Sequence, residues 1–178
     1  MYQEGVNWRE EMHPTLKRLG IDLVVYVPDA GHAQLIEQCR EDQDIDCFPL
    51  VNEFEAVGIC VGAWLGGRRA CMLLQSSGVG NMMNALGLAR SAATPFFAIS
   101  TMRGEWGEFN PWQAPMGQAT GNVLEAAGIV VNRAETAEDV IPVVESSGKL
   151  AFQSYLPVFT LISQRVTGAK VFVKEPQP

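Results

Sequence analysis

The chain has 178 residues, of which 47% are hydrophobic and 19% charged; this suits one folded domain with a sizeable core and excludes a disordered segment. Formal net charge is −7 and the densest basic spot is Arg68-Arg69, which excludes nucleic acid and anionic membrane surfaces as expected partners. No apolar run reaches the roughly 20 residues of a bilayer span, and the polar stretch MYQEGVNWREEMHP lacks a signal peptide's basic region and apolar block, so a cytoplasmic protein is expected.

In chain order, Trp8, Met12, Leu16 and Leu19 recur at helical spacing, in a helix expected to bend near Pro14. LVVYV at 23–27 is a continuous apolar strand, broken by Pro28-Asp29-Ala30-Gly31. A helix with Leu35, Ile36 and Cys39 follows, then a short strand from Asp46 to Leu50. The next helix is predicted from Glu53 to Leu65, ending at Gly66-Gly67. A strand at 70–75, a glycine turn, a helix over 81–93 and a strand at 95–100 come next. An irregular stretch covers 101–117. Helix, strand at 129–131, helix from Ala137 and strand at 157–162 complete the pattern, with KEPQP as a tail.

Apolar strands without alternation are buried on both faces, and strands separated by helices pair in parallel. The expected fold is therefore α/β: a doubly wound, mainly parallel sheet of about six strands with helices on both faces, in a single domain over 1–178. Ligands of such sheets bind beyond the C-terminal strand ends. The turns at 28–32, 51–53, 75–81 and 101–117 lie at that edge. Cys39, Cys47, Cys60 and Cys71 form no CxxC pair, so reduced core thiols are expected and no metal site.

Two segments stand out. In VNEFEAVGICVGAWLGG, Glu53 opens a helix rich in small residues. Alone, it is a carboxylate favoured by the helix dipole, a role Glu55 can also fill. Gly58 and Gly62 each cost about 1 kcal/mol relative to alanine, so a backbone or ligand is expected to approach that helix closely. In MLLQSSGVGNMMNALGLA, Gly78-Val79-Gly80 reads as a tight turn before a helix or as an anion cradle, without the GK[ST] or GxGxxG of a nucleotide loop.

Together these segments resemble the pyrimidine-binding domain of thiamine diphosphate enzymes. That family has a glutamate opening a small-residue helix, a glycine nine positions on, and then SGxGxxxN; here these are Glu53, Gly62, Ser77, Gly78, Gly80 and Asn84. VYVPDAGHAQLI is similar to the family's first strand and loop, and NPWQAPMGQATGNVLEAAGI to its glutamine-bearing stretch, with Gln113 at the glutamine. QSSGVGN and RGEWGEFNPWQAPMG look like the alpha subunits of sulfopyruvate decarboxylases and then the phosphonopyruvate decarboxylases, with Ser76 in place of their usual asparagine.

The resemblance implies a decarboxylase subunit for a 2-oxo acid, with thiamine diphosphate as cofactor and Glu53 hydrogen-bonded to N1′ of its aminopyrimidine as the catalytic carboxylate. Pro28, Asp29, Gly78 and Gly80 are expected around the cofactor. His32, Gln75, Ser76, Ser77, Asn81, Arg103 and Gln113 are expected toward substrate. For several of these a plainer reading stands beside that one. Gln75 and Ser76 can simply cap a helix, His32 can be a surface histidine at a helix start, and Arg103 can meet a sulfonate or phosphonate or form a loop salt bridge.

The family's Mg²⁺ signature, Gly-Asp-Gly, is absent. Mg²⁺ and the diphosphate are therefore expected on a partner beta subunit, with self-association across pyrimidine-binding domains. The alternatives are a phosphonopyruvate or other 2-oxo acid decarboxylase subunit, or a non-catalytic nucleotide-binding, flavin-binding or regulatory module of the same fold class.

Overall fold

A computed structural model describes residues 7–169. Its six strands form one all-parallel sheet in the order β2-β1-β3-β4-β6-β5. They are β1 (Leu23–Tyr26), β2 (Asp46–Pro49), β3 (Ala70–Gln75), β4 (Phe96–Thr101), β5 (Val130–Ala134) and β6 (Pro157–Ile162). The helices are α1 (Trp8–Arg18), α2 (Ala33–Glu41), α3 (Glu53–Leu65), α4 (Ser76–Met82), α5 (Leu86–Ser91), α6 (Ala114–Ala126), α7 (Ala137–Ser154) and α8 (Gln164–Thr167).

The strand side chains alternate between two cores. Val24, Tyr26, Cys71, Leu73, Phe97 and Ile99 face α1, α2 and α7. Leu23, Val25, Met72, Leu74, Phe96 and Ala98 face α3 to α6. Central strands must be apolar throughout to fill both layers, which is why they show no period of two. The edge strand β2 is mostly exposed.

Right-handed crossovers put a helix on one face when the chain moves toward β2 and on the other when it moves toward β5. Accordingly α2 and α3 lie on opposite faces, and the order reverses between β1 and β3. A crevice opens at such a reversal. Pro28-Asp29 leave β1 on one side of it and Gln75-Ser76 leave β3 on the other.

Local signals account for several boundaries. The Asn52 side chain accepts from Phe54 N and caps α3. A Thr136–Asp139 capping box opens α7, and Tyr155 at φ 56 closes it. α1 runs unbroken through Pro14, with Thr15 Oγ1 donating to the Glu11 carbonyl.

The clearest departure from expectation is at 76–93. There is no glycine turn: α4 begins at Ser76 directly after β3, and the chain breaks at 83–85 before α5. The irregular stretch after β4 is shorter than expected, ending in a 3₁₀ turn at Pro111–Gln113 that leads into α6. KEPQP lies outside the described residues.

Candidate functional site: a carboxylate clamped at the sheet edge

Glu53 is 7% exposed. It stands in the first turn of α3, where the helix dipole favours an anion. The short β2 delivers it: Leu50 N still donates to the Tyr26 carbonyl, after which Asn52 turns the chain into the helix.

Helix α4 grips this carboxylate. Asn81 Nδ2 donates to Glu53 Oε2 at 2.8 Å. The other oxygen lies against Gly78, where an added Cβ would sit 2.1 Å from Oε1 and 2.5 Å from Cδ. Gly78 is thus helical rather than a turn residue, and its missing side chain makes room for Glu53. At Gly80 a Cβ would meet only Met116 Sδ, at 3.2 Å.

Around this clamp the two turns at the crevice are tied together. Asp29 Oδ2 accepts from Gly31 N at 3.0 Å and from Thr101 Oγ1 at 2.6 Å. A Cβ on Gly31 would strike Thr101 Cγ2 at 2.7 Å. Pro28 and Asp29 also line a groove of about 750 Å³ along α2, with Tyr26, Ile36 and Arg40; Glu53 is not in its walls.

His32 is 2% exposed, its Nε2 at 3.1 Å from the Leu74 carbonyl. A carbonyl only accepts, so Nε2 carries the proton. Burial pushes the His32 pKa down, offset in part by the Asp29 carboxylate, which makes it a neutral tie between the β1 turn and β3, not a surface histidine.

Ser76 is fully buried and its hydroxyl accepts from Arg103 N at 3.0 Å. Arg103 makes a two-point ion pair with Glu108, 2.7 Å at each contact. That pair is largely sheltered, so the guanidinium holds the Glu108 carboxyl down at about 2. Gly104 N, Asn110 N and Gln164 Nε2 also donate to Glu108. Arg103 Nε and Nη2 are therefore engaged within its own loop, while Arg103 also lines a small pocket with Asp29, Gly31 and Thr101.

Sequence reading missed Glu108 and Gln164, whose Oε1 accepts from Glu105 N and Trp106 N. It also missed Gly117, where a Cβ would overlap the Arg103 carbonyl. The five-residue spacing of Arg103 and Glu108 was the available signal for the ion pair; nothing local marks Gln164.

Two of the buried oxygens without a partner belong to glutamines at this edge. Gln75 Oε1 and Gln113 Oε1 are buried with no hydrogen-bond partner among the described residues. Both belong to segments at the C-terminal edge of the sheet, and Gln113 is only 5% exposed. Buried amide oxygens are rarely left unpaired, so each calls for a donor, from water or from a bound group. Ser77 is half-buried in the first turn of α4. A buried carboxylate with one oxygen committed, together with unpaired acceptors on segments at the same sheet edge, fits an aminopyrimidine that offers N–H groups and a ring nitrogen.

The family model described as "Pyruvate flavodoxin/ferredoxin oxidoreductase, thiamine diP-bdg" matches residues 30–176. The chain is 32% identical to the sulfopyruvate decarboxylase subunit alpha of Methanococcus maripaludis, covering 88% of this chain and 95% of that one. It is also 32% identical to the subunit of the same name from Methanocaldococcus jannaschii, over 84% of this chain and 89% of that one. Likeness to the phosphonopyruvate decarboxylase of Streptomyces viridochromogenes is 38%, over 62% of this chain and 28% of the longer relative.

Among solved structures, the 2-oxoglutarate:ferredoxin oxidoreductase of Magnetococcus marinus superposes with a TM-score of 0.69 at 14% identity, over 89% of this chain and 29% of that one. A protein of Mycobacterium smegmatis, described as a candidate thiamin diphosphate-dependent enzyme, does so at 0.67 and 19%, over 96% and 34%. These two likenesses speak for the fold, and the chain spans about a third of each. The helix-opening glutamate, the α4 glycines and the matches along nearly the whole chain agree: it belongs to the thiamine diphosphate-binding family that includes the sulfopyruvate decarboxylase alpha subunits.

Proposed function

We propose that this chain is the alpha subunit of a thiamine diphosphate-dependent decarboxylase. Its substrate is a 2-oxo acid with a second acidic group, sulfopyruvate first and phosphonopyruvate second. The carrying observation is the Glu53 carboxylate, buried at the sheet edge and held by Asn81 and Gly78, in a chain alike over nearly its full length to sulfopyruvate decarboxylase alpha subunits. The chain acts as a single pyrimidine-binding domain in a cytoplasmic assembly.

When bound, the cofactor supplies the carbanion chemistry that releases CO₂. The protein's part is to hold and tune it. Glu53 holds N1′ of the aminopyrimidine and shares a proton there. Asn81 occupies one carboxylate oxygen and fixes its rotation, leaving Oε1 for the ring. Pro28, Asp29, Gly78 and Gly80 shape the cofactor side. Gln75 and Gln113 offer their unpaired oxygens to N–H or O–H groups of cofactor or substrate. Ser77 and His32 border the same edge. Ser76 and Arg103 serve by keeping the β4–α6 loop in place, with the Arg103 charge directed at Glu108.

A partner beta subunit carries the diphosphate and Mg²⁺; the likeness to proteins named as alpha subunits supports this reading. The exposed, open glycines of α3 support contact with another subunit, including a second copy of this domain.

Co-purification with a Gly-Asp-Gly-bearing partner, followed by CO₂ release from 2-oxo acids, tests the reading. Glu53→Gln should assemble normally and lose at least about 100-fold in kcat; full activity would sink the assignment. The isolated chain should be inactive and bind cofactor poorly, and tight Mg²⁺-dependent binding by it alone would refute the split site.

A further inference from the structure

A small cavity of about 110 Å³ opens at the C-terminal edge of the sheet, and Glu53 is not in its walls. Four segments meet there. Helix α1 brings Arg9, and the turn after β1 brings Asp29 and Gly31. The end of β4 and its loop bring Thr101 and Arg103, and the end of α8 brings Thr167. The cavity is well below the roughly 300 Å³ of a site for a whole drug-sized molecule, so it has room for one polar group of a ligand.

Its charges select the kind of group. Arg9 is half-buried, lies over the Trp8 ring at 4.4 Å and makes no ion pair among the described residues. Arg103 commits Nε and Nη2 to Glu108, which leaves Nη1 for a ligand. The one carboxylate of the lining is Asp29, whose Oδ2 already accepts from Gly31 N and Thr101 Oγ1. An anion is therefore the group that gains most here. Two guanidiniums can share the three oxygens of a tetrahedral anion, whereas a planar carboxylate is satisfied by one fork.

We propose that this cavity is the subsite for the substrate's second acidic group, with Arg9 as the residue that sets the preference for a sulfonate or phosphonate over a carboxylate. The assignment rests on the decarboxylase reading above. Two residues join the cavity to the rest of the sheet edge. Asp29 lines both this cavity and the groove along α2. Arg103 N donates to the Ser76 hydroxyl, at the start of the helix whose Asn81 holds Glu53. Arg9 and Thr167 come from opposite ends of the described chain, so no local motif announces the site.

The test uses the complex co-purified with its beta subunit, thiamine diphosphate and Mg²⁺. Arg9→Gln should raise the KM for sulfopyruvate or phosphonopyruvate at least about tenfold, the loss expected for a charge-assisted hydrogen bond, with the effect on KM rather than kcat. Arg9→Lys, which keeps the charge and loses the fork, should give a smaller rise. In the wild-type complex, methylphosphonate should slow phenylglyoxal labelling of Arg9, mapped by peptide mass, and leave the exposed Arg90 labelled as before. A complex that decarboxylates neither substrate sinks the decarboxylase reading and the subsite with it. An active complex with an unmoved KM in Arg9→Gln, or with Arg9 labelling that methylphosphonate does not slow, overturns the subsite alone. Where Arg9→Gln fails to assemble, the labelling of the wild type still decides.

Discussion

Glu53 and Gly78 act as one unit, and substitution at the glycine separates fit from stability. Alanine is the better helix former by about 1 kcal/mol, yet its methyl would fall on the Glu53 carboxylate. The flexible side chain must yield before the helix backbone does. Gly78→Ala should therefore fold with near-normal stability and lose about 100-fold in kcat, the usual cost of moving a catalytic group by about an ångström. Gly87→Ala in α5 is the control, because a methyl there meets nothing within 4 Å; thermal melts and steady-state kinetics on both variants check the contrast. The family pattern, with a glycine nine positions after the glutamate, favoured Glu53 over Glu55. What spacing could not reveal is that α4 supplies the clamp, since Asn81 and Gly78 reach Glu53 only through helix packing across 28 and 25 residues of sequence.

The β4–α6 loop shows how a segment without regular structure is held in place. Its centre is Glu108, which accepts from Arg103, Gly104, Asn110 and Gln164. With its folded pKa near 2 against an ordinary 4.5, Glu108 binds protons less readily than in the unfolded chain. Its contribution is complete above the ordinary carboxylate value and drains away as pH falls from about 4.5 toward 2. Tryptophan fluorescence from Trp106 and Trp112 should report loop release across that window. Glu108→Gln should flatten the transition and cost about 2 kcal/mol at neutral pH by stranding Arg103; an unchanged acid profile would remove Glu108 from this role. Helices and strands with strong apolar runs were legible because burial alone dictates them. The 76–93 segment was not, because Gly78 and Gly80, which normally signal a turn, are here helical, and at Gly78 the missing side chain makes room for a neighbouring carboxylate.

At the scale of the molecule, the parallel sheet and its two helical layers follow from unbroken apolar strands and helical crossovers, and both were readable in advance. The surface of α3 was legible only in part. Two costly glycines called for a close neighbour, yet a Cβ at Gly58 or Gly62 meets nothing within 4 Å. Both are exposed, and Phe54, Leu65 and, on α5, Leu88 present large apolar surface nearby. Phe54, Val57, Gly58, Ala85 and Leu88 line a shared groove. If another subunit packs there, Gly58→Leu should move two observables in opposite directions. The isolated chain gains up to about 0.8 kcal/mol in helix propensity and should melt no lower than wild type. Association should weaken roughly tenfold or more, because a side chain forced into a packed interface costs about 1–3 kcal/mol. Sedimentation velocity with and without the beta subunit measures the second effect and a thermal melt the first. Unchanged association would place the contact elsewhere and leave the α3 glycines without a packing role.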